Sequence, residues 1–197
     1  MSRDKPKPIP LKEWPAGMRD AMAAMTPPNP IRPFPPRDDD RPKGLNALGT
    51  FAHNPEAATA FNTLSSHLLF QSTLLPRYRE VLVLRVAARR ASEYEWAQHV
   101  FIATEEGFQP EQIEAVRTGE VGDDFGPFYG ALVTAADELI DDACLSDATW
   151  EALTEHLDDA QMLDVVFTVG AYDALAMVLR TFAVPIDDDL RKWSSPK

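Results

Sequence analysis

The 197-residue chain is predicted to fold as an all-α, single-domain helical bundle with an N-terminal proline-rich arm. Three observations predict it. Helix start and stop residues bracket one segment after another from residue 45 onward. No segment alternates polar and apolar residues over the length of a strand. Eleven of the 17 prolines fall before residue 43, so irregular chain is concentrated at one end.

Taken in order, residues 1–43 form the arm. Its densest part, "TPPNPIRPFPPRDDDRP", lacks backbone donors and has φ fixed at each proline, so it is neither helix nor central strand. It is either loose or laid across the surface of its own or a neighbouring subunit. Within the arm, "LKEWPAGMRDAMAAM" has helical composition.

Residues 44–190 form the helical body. "HNPEAATAFNTLSSHLLF" opens with Asn54 as N-cap and Pro55 at the first helical position, an ordinary helix start. "PRYREVLVLRVAARRA" begins at Pro76, and "EYEWAQHVFIATEEG" ends at Gly107, a natural C-terminal cap. "PEQIEAVRTG" runs from Pro110 to Gly119, "PFYGALVTAADELIDD" follows a turn-rich link, and Ser146 caps "DATWEALTEHL". The last long helix, "AQMLDVVFTVGAYDALAMVLRTFAV", precedes Pro185, and residues 191–197 are a tail. About seven or eight helices are expected by these signals. Tyr129, Trp150 and Tyr172 read as core aromatics.

Composition narrows the partners. Hydrophobic residues make up 45% of the chain, enough for a real core, and apolar runs such as "VLVLRVAA" are short and interrupted by Arg. No membrane association and no secretory signal are expected, which implies a cytoplasmic protein. The net charge of −12 divides into +3 over residues 1–43 and −15 over the rest. A body that acidic repels phosphate backbones, so no nucleic acid partner is expected. Cys144 is the single cysteine, which excludes an intrachain disulfide and any CxxC redox or zinc motif.

Candidate chemistry centres on two helices. Glu80 shares a helix face with Val83, Leu84 and Ala87. A carboxylate there needs a partner, and desolvation perturbs its protonation, which suits a general acid or base as well as a structural ion pair. His99 sits one turn after Glu95, and a carboxylate-oriented imidazole is the arrangement acid–base chemistry needs. Ser92 and Glu95 also match a capping box, in which each side chain takes the other residue's backbone N–H. "SEYE" therefore has a structural and a catalytic reading, and spacing alone leaves both open. Ser92, Trp96 and His53 are candidate substrate-binding residues. There is no HExxH, so no metal is expected, and there is no phosphate loop and no nucleophile elbow,.

Glu80, then "SEYEWAQH" twelve residues on, then "IATEEGFQPEQIEAV", resemble the carboxymuconolactone decarboxylase family, which includes the alkylhydroperoxidase D-like proteins. "FAHNPEAATAFNTL", "AADELI" and "VGAYDALAMVL" extend the resemblance over roughly residues 45 to 185. It implies the alkylhydroperoxidase D-like helical fold and a homo-oligomer, commonly a trimer or hexamer. In the peroxidase branch the motif is a Glu, a CxxC and a His. Here the Glu falls on Glu80, the His on His99, and the two cysteine positions on Ser92 and Glu95.

A peroxidase of that type needs a thiolate to attack peroxide and a second thiol to resolve the sulfenic acid. Ser92 and Glu95 can do neither. The resemblance therefore implies the other branch: a cofactor-independent decarboxylase, lyase or isomerase acting on a small carboxylated organic substrate. His99 would transfer the proton, Glu80 would orient it, and Glu95 would be a third participant. The alternatives are an alkylhydroperoxidase-like peroxidase and a non-catalytic oligomeric family member.

Overall fold

The computed structural model describes residues 5–34, 41–122 and 125–194. Residues 35–40 of the proline-rich stretch and 195–197 of the tail lie outside the described residues. Among the described residues there are nine α-helices and no strand: α1 Met18–Ala24, α2 Leu45–Phe51, α3 Pro55–Phe70, α4 Pro76–Arg89, α5 Glu93–Glu105, α6 Pro110–Thr118, α7 Pro127–Asp141, α8 Asp147–Thr154 and α9 Asp159–Thr181. The all-α class read from the sequence is the class observed.

The expected start and stop residues act as such. Asn54 accepts from the Ala57 N–H, and Ser146 accepts from the Thr149 N–H. Gly107 and Gly119 both take positive φ at helix ends. Helix α2 was not read from the sequence, because "LNALGTF" has no side-chain cap and carries Gly49 in its middle. That glycine is required by packing: the arm lies against it, with the Ile9 N–H donating to the Gly49 carbonyl at 2.9 Å, and a Cβ there would meet the Ile9 carbonyl at 2.5 Å.

The described part of the arm is laid across its own chain. Helix α1 packs on α3, burying Met18 and Ala21, and Asn62 Nδ2 donates to the Ala21 carbonyl at 2.8 Å. Farther on, the Ile31 N–H donates to the Phe70 carbonyl, and Arg32 reaches the Leu74 carbonyl. At the other end, Leu190 and Trp193 pack with Tyr94, Ala97, Leu179 and Val184.

Helix α4 is the centre of the bundle. It packs on α5, α6, α7 and α9, and every residue from Arg79 to Ala87 is buried. A helix surrounded on all sides is expected to be apolar all round, so its charged residues must find partners inside the protein. Arg85 does so with a bidentate pair to Asp137 on α7 (2.7 and 2.8 Å) and two bonds to the last carbonyls of α6, from Val116 and Arg117. Arg89 extends that network to Asp137 and Asp141.

The backbone turn that closes α6 leans on the same guanidinium. Gly119 has φ 85, and a Cβ would lie 2.7 Å from Arg85 Nη2. Gly119→Ala combines a left-handed Ala with displacement of Arg85, and is expected to cost roughly 1–2 kcal/mol or more in urea unfolding.

Helix α9 is longer than the apolar runs weighed above. Among the described residues it is the one helix long and apolar enough to meet a length-and-composition test for a membrane span, though half of that span is buried inside the protein. Its Asp164 bonds His67 and its Asp173 bonds Arg90. Trp150, expected in the core, is instead about half exposed on α8.

Candidate active site

Glu80 is the other α4 charge that needs partners. It is fully buried. Its Oε2 lies 2.7 Å from His99 Nδ1, and its Oε1 accepts from Arg79 Nε at 3.0 Å. Burial alone pushes this carboxyl up, but His99 and Arg79 beside it outweigh that and hold it below the ordinary carboxylate range,. An ionised Glu80 fixes the proton of a neutral His99 on Nδ1. Nε2 is then the nitrogen left to act as a base.

The two helices meet because the chain reverses in a tight turn. The Ser92 N–H donates back to the Ala87 carbonyl at 2.9 Å, and Ala91 takes φ 49, a position where glycine is usual,. This sets α5 against α4, with His99 opposite Glu80, 19 residues apart in sequence.

His99 lines a cavity of about 360 Å³ together with Glu95, one turn earlier on α5, and Tyr172 of α9. That volume suits a small organic ligand. Tyr172 meets the imidazole edge-on, with ring centroids 4.9 Å apart. Most of the remaining wall is apolar, including Phe51 of α2, Phe61 of α3 and Leu175 of α9. The arm supplies part of it: Met22 of α1, Met25 just after that helix, and Pro42 and Lys43, with Gly44 following them. Tyr172, read from the sequence as a core aromatic, is buried and also forms part of the cavity wall, and the two methionines were not singled out from the sequence. Their contribution depends on which elements meet in space.

Glu95 is almost fully buried, and among the described residues both its carboxylate oxygens lack a hydrogen-bond partner, as does Oε1 of the neighbouring Gln98. Burial drives the Glu95 carboxyl well above its ordinary value of 4.5. The nearby Ser92 hydroxyl pulls the other way without making a well-formed hydrogen bond, and Asp173 adds to the rise. Glu80 and Glu95 are thus two glutamates pushed in opposite directions, one held low by its charged partners and one raised by burial, a pattern that separates acid and base roles. Buried polar atoms ordinarily have partners. Three such oxygens on Glu95 and Gln98, both lining one cavity, mark it as a place for a polar ligand group.

The capping box does not form. Ser92 is the N-cap of α5 by position, but its side chain makes no cap hydrogen bond, and its Oγ and both Glu95 oxygens are without partners among the described residues. "SEYE" is therefore not accounted for as a helix cap.

The remaining candidates lie elsewhere. Ser92 lines a separate, more polar cleft of about 630 Å³ with Arg180 and Arg191. Trp96 packs in the main core and borders a cleft with Phe108 and Trp193. His53 bonds the Lys7 carbonyl and borders an apolar cavity with Phe51 and Phe61. None of the three lines the His99 cavity. Cys144 is exposed in the α7–α8 connection.

The family model described as "Carboxymuconolactone decarboxylase family" matches residues 55–138, a span that includes Glu80, Glu95 and His99. Residues 55–138 are a carboxymuconolactone decarboxylase family segment. Solved structures carry the same fold around it. The apo debrominase Bmp8 is 14% identical, with a TM-score of 0.71 over 95% of this chain and 94% of that one. A peroxidase-related protein from Ralstonia eutropha JMP134 with an alkylhydroperoxidase AhpD core is 22% identical, with a TM-score of 0.66 over 76% and 81%. A peroxidase-related protein from Silicibacter sp. TM1040 is 19% identical, with a TM-score of 0.63 over 74% and 78%. At these identities the structural likeness establishes the alkylhydroperoxidase D-like fold of the chain, and the fold alone,. No curated protein is detectably similar to the chain.

Proposed function

We propose that this carboxymuconolactone decarboxylase family protein is a cofactor-independent acid–base enzyme, a decarboxylase, lyase or isomerase acting on a small organic substrate. The observation that carries this reading is the 2.7 Å Glu80–His99 contact beside a cavity that also holds a buried, unpartnered Glu95. His99 Nε2 takes a proton from the substrate, Glu80 orients the ring and stabilises the imidazolium, and neutral Glu95 donates a proton or a hydrogen bond to the oxygen where charge develops. The mostly apolar wall strengthens each of these interactions by excluding water. Bmp8, which shares the fold, has been captured with 2,3,4-tribromopyrrole, and a ring of that size suits a cavity of this volume.

The peroxidase reading has no support in the site, since Ser92 and Glu95 replace the two thiols and Cys144 is exposed elsewhere. Self-association in a homo-oligomer fits the exposed stripe of Leu163, Val166, Phe167 and Met177 along α9,.

The test is proton exchange in D₂O over a panel of small lactones, enones and β-keto acids, read by mass spectrometry together with CO₂ release. Turnover of at least one compound is expected, falling by about 10²-fold or more in His99→Gln. Undiminished turnover in His99→Gln would overturn the reading.

A further inference from the structure

On the other side of Leu69 and Ile102, two residues that also border the His99 cavity, lies a second cavity of about 480 Å³. Three arginines line it: Arg32 and Arg41 from the arm, and Arg79 from α4. Arg32 Nη2 donates to the Leu74 carbonyl at 2.6 Å, while its Nη1 is buried with no partner among the described residues. Arg79 is buried and already holds Glu80. Arg41 pairs with Glu105, and Glu106 completes the charged lining.

Capping one carbonyl accounts for one nitrogen of Arg32. It leaves unexplained why a second guanidinium nitrogen is buried without an acceptor, with another guanidinium close by. Burial, and then the charge of Arg79, push the Arg32 pKa down, with Glu106 acting in the opposite sense, so the two cations are felt by each other. Cations that converge on a cavity in this way are matched by an oxyanion, and a carboxylate fits the planar fork of an arginine in bidentate fashion. The lining favours an organic monoanion over phosphate. Glu105 and Glu106 penalise a dianion, while Leu69 and Ile102 offer a hydrocarbon surface.

We propose that the Arg32–Arg41–Arg79 pocket binds the carboxylate of a small organic acid, and that Arg79 joins this site to the Glu80–His99 pair. The pocket stands on its own geometry; its bearing on catalysis rests on the function proposed above. Arg85 and Arg89, the cations on α4 nearer its C-terminus, are held by Asp137 and Asp141 and take no part. The carboxylate has two possible sources: a separate small acid, or the substrate itself reaching past Leu69 and Ile102.

The experiment is an NMR titration of the full-length chain, labelled at arginine Nε, histidine and tyrosine, with acetate and with 2-naphthoate at constant ionic strength. Saturable shifts of the Arg32 and Arg79 Nε–H signals are expected, with His99 ring signals moving in the same titration. Arg32→Met and Arg41→Met should each weaken binding by about tenfold, the scale of one charge-assisted hydrogen bond. Movement of Tyr172 signals by 2-naphthoate but not by acetate assigns the carboxylate to the substrate; Tyr172 signals that stay still with both acids, while the arginine signals move, assign it to a separate acid. Shifts that do not saturate, or that survive both substitutions unchanged, overturn the proposal. Should Arg32→Met lose its circular dichroism spectrum, Arg41→Met, whose described partners are the surface residue Glu105 and the Phe101 ring, decides the matter. Because binding is read without turnover, an inactive enzyme and an empty pocket give different results.

Discussion

Glu80→Gln is expected to destabilise the protein by about 3–5 kcal/mol, the usual cost of removing one partner from a buried ion pair. The carboxylate has no exposure and neutralises Arg79, whose side chain is only 6% exposed. An amide at this position keeps the volume and can still accept one hydrogen bond, so the loss isolates the charge. In a chain of this size the melting temperature should fall by roughly 6–20 °C.

The double substitution Arg79→Met with Glu80→Leu is expected to recover much of that loss, because a buried pair replaced by apolar groups of similar volume is often neutral. Recovery of stability without recovery of activity would separate two roles of Glu80: it is costly to the fold, and it serves His99. Equal destabilisation in the single and double variants would mean that Arg79 is needed mainly for its bond to the Leu68 carbonyl. The pH dependence has a definite sign. Glu80 has a folded pKa below its unfolded one, so its contribution is present above the unfolded value and is lost as pH falls through the folded one.

The helices were legible because their boundaries are local chemistry. Asn54–Pro55, Pro76, Gly107, Gly119 and Ser146 each act within one turn of chain, and each does in space what its residue type dictates. Helix α2 was not legible, because what holds Gly49 in place is the arm, some 40 residues earlier. The site divides the same way. The i, i+4 spacing puts Glu95 and His99 on one face, but Ser92 and Glu95 also matched a capping box, and only the three-dimensional arrangement shows that the box does not form. Ser92 turned out to be a cap by position and not by hydrogen bond. Whether the arm was loose or docked was equally open in sequence, since proline excludes regular structure without choosing a surface. Its docking brings Met22 and Met25 to the His99 cavity and Arg32 to the second one.

Glu95→Gln is expected to flatten the dependence of stability on pH. In the folded protein the Glu95 carboxyl is raised well above 4.5 by burial. Above that ordinary value the unfolded chain releases the proton while the folded one keeps it, so the unfolded state binds fewer protons and stability falls as pH rises. The slope for one such group is about 1.4 kcal/mol per pH unit, persisting until the raised folded pKa is reached. The amide has no proton to lose, so the variant should match the wild type near pH 4.5 and exceed it increasingly towards neutrality and beyond, with a similar urea m-value throughout. Urea unfolding at pH 5, 6, 7 and 8 measures this directly. Parallel curves for the two proteins would mean that Glu95 is ionised in the folded state, which removes the acid from the proposed mechanism and leaves His99 alone to handle the proton. If instead the curves diverge with pH while turnover drops, the protein carries at Glu95 a group that weakens its own fold at neutral pH and serves its chemistry there, which is the expected mark of an active site and not of a helix cap.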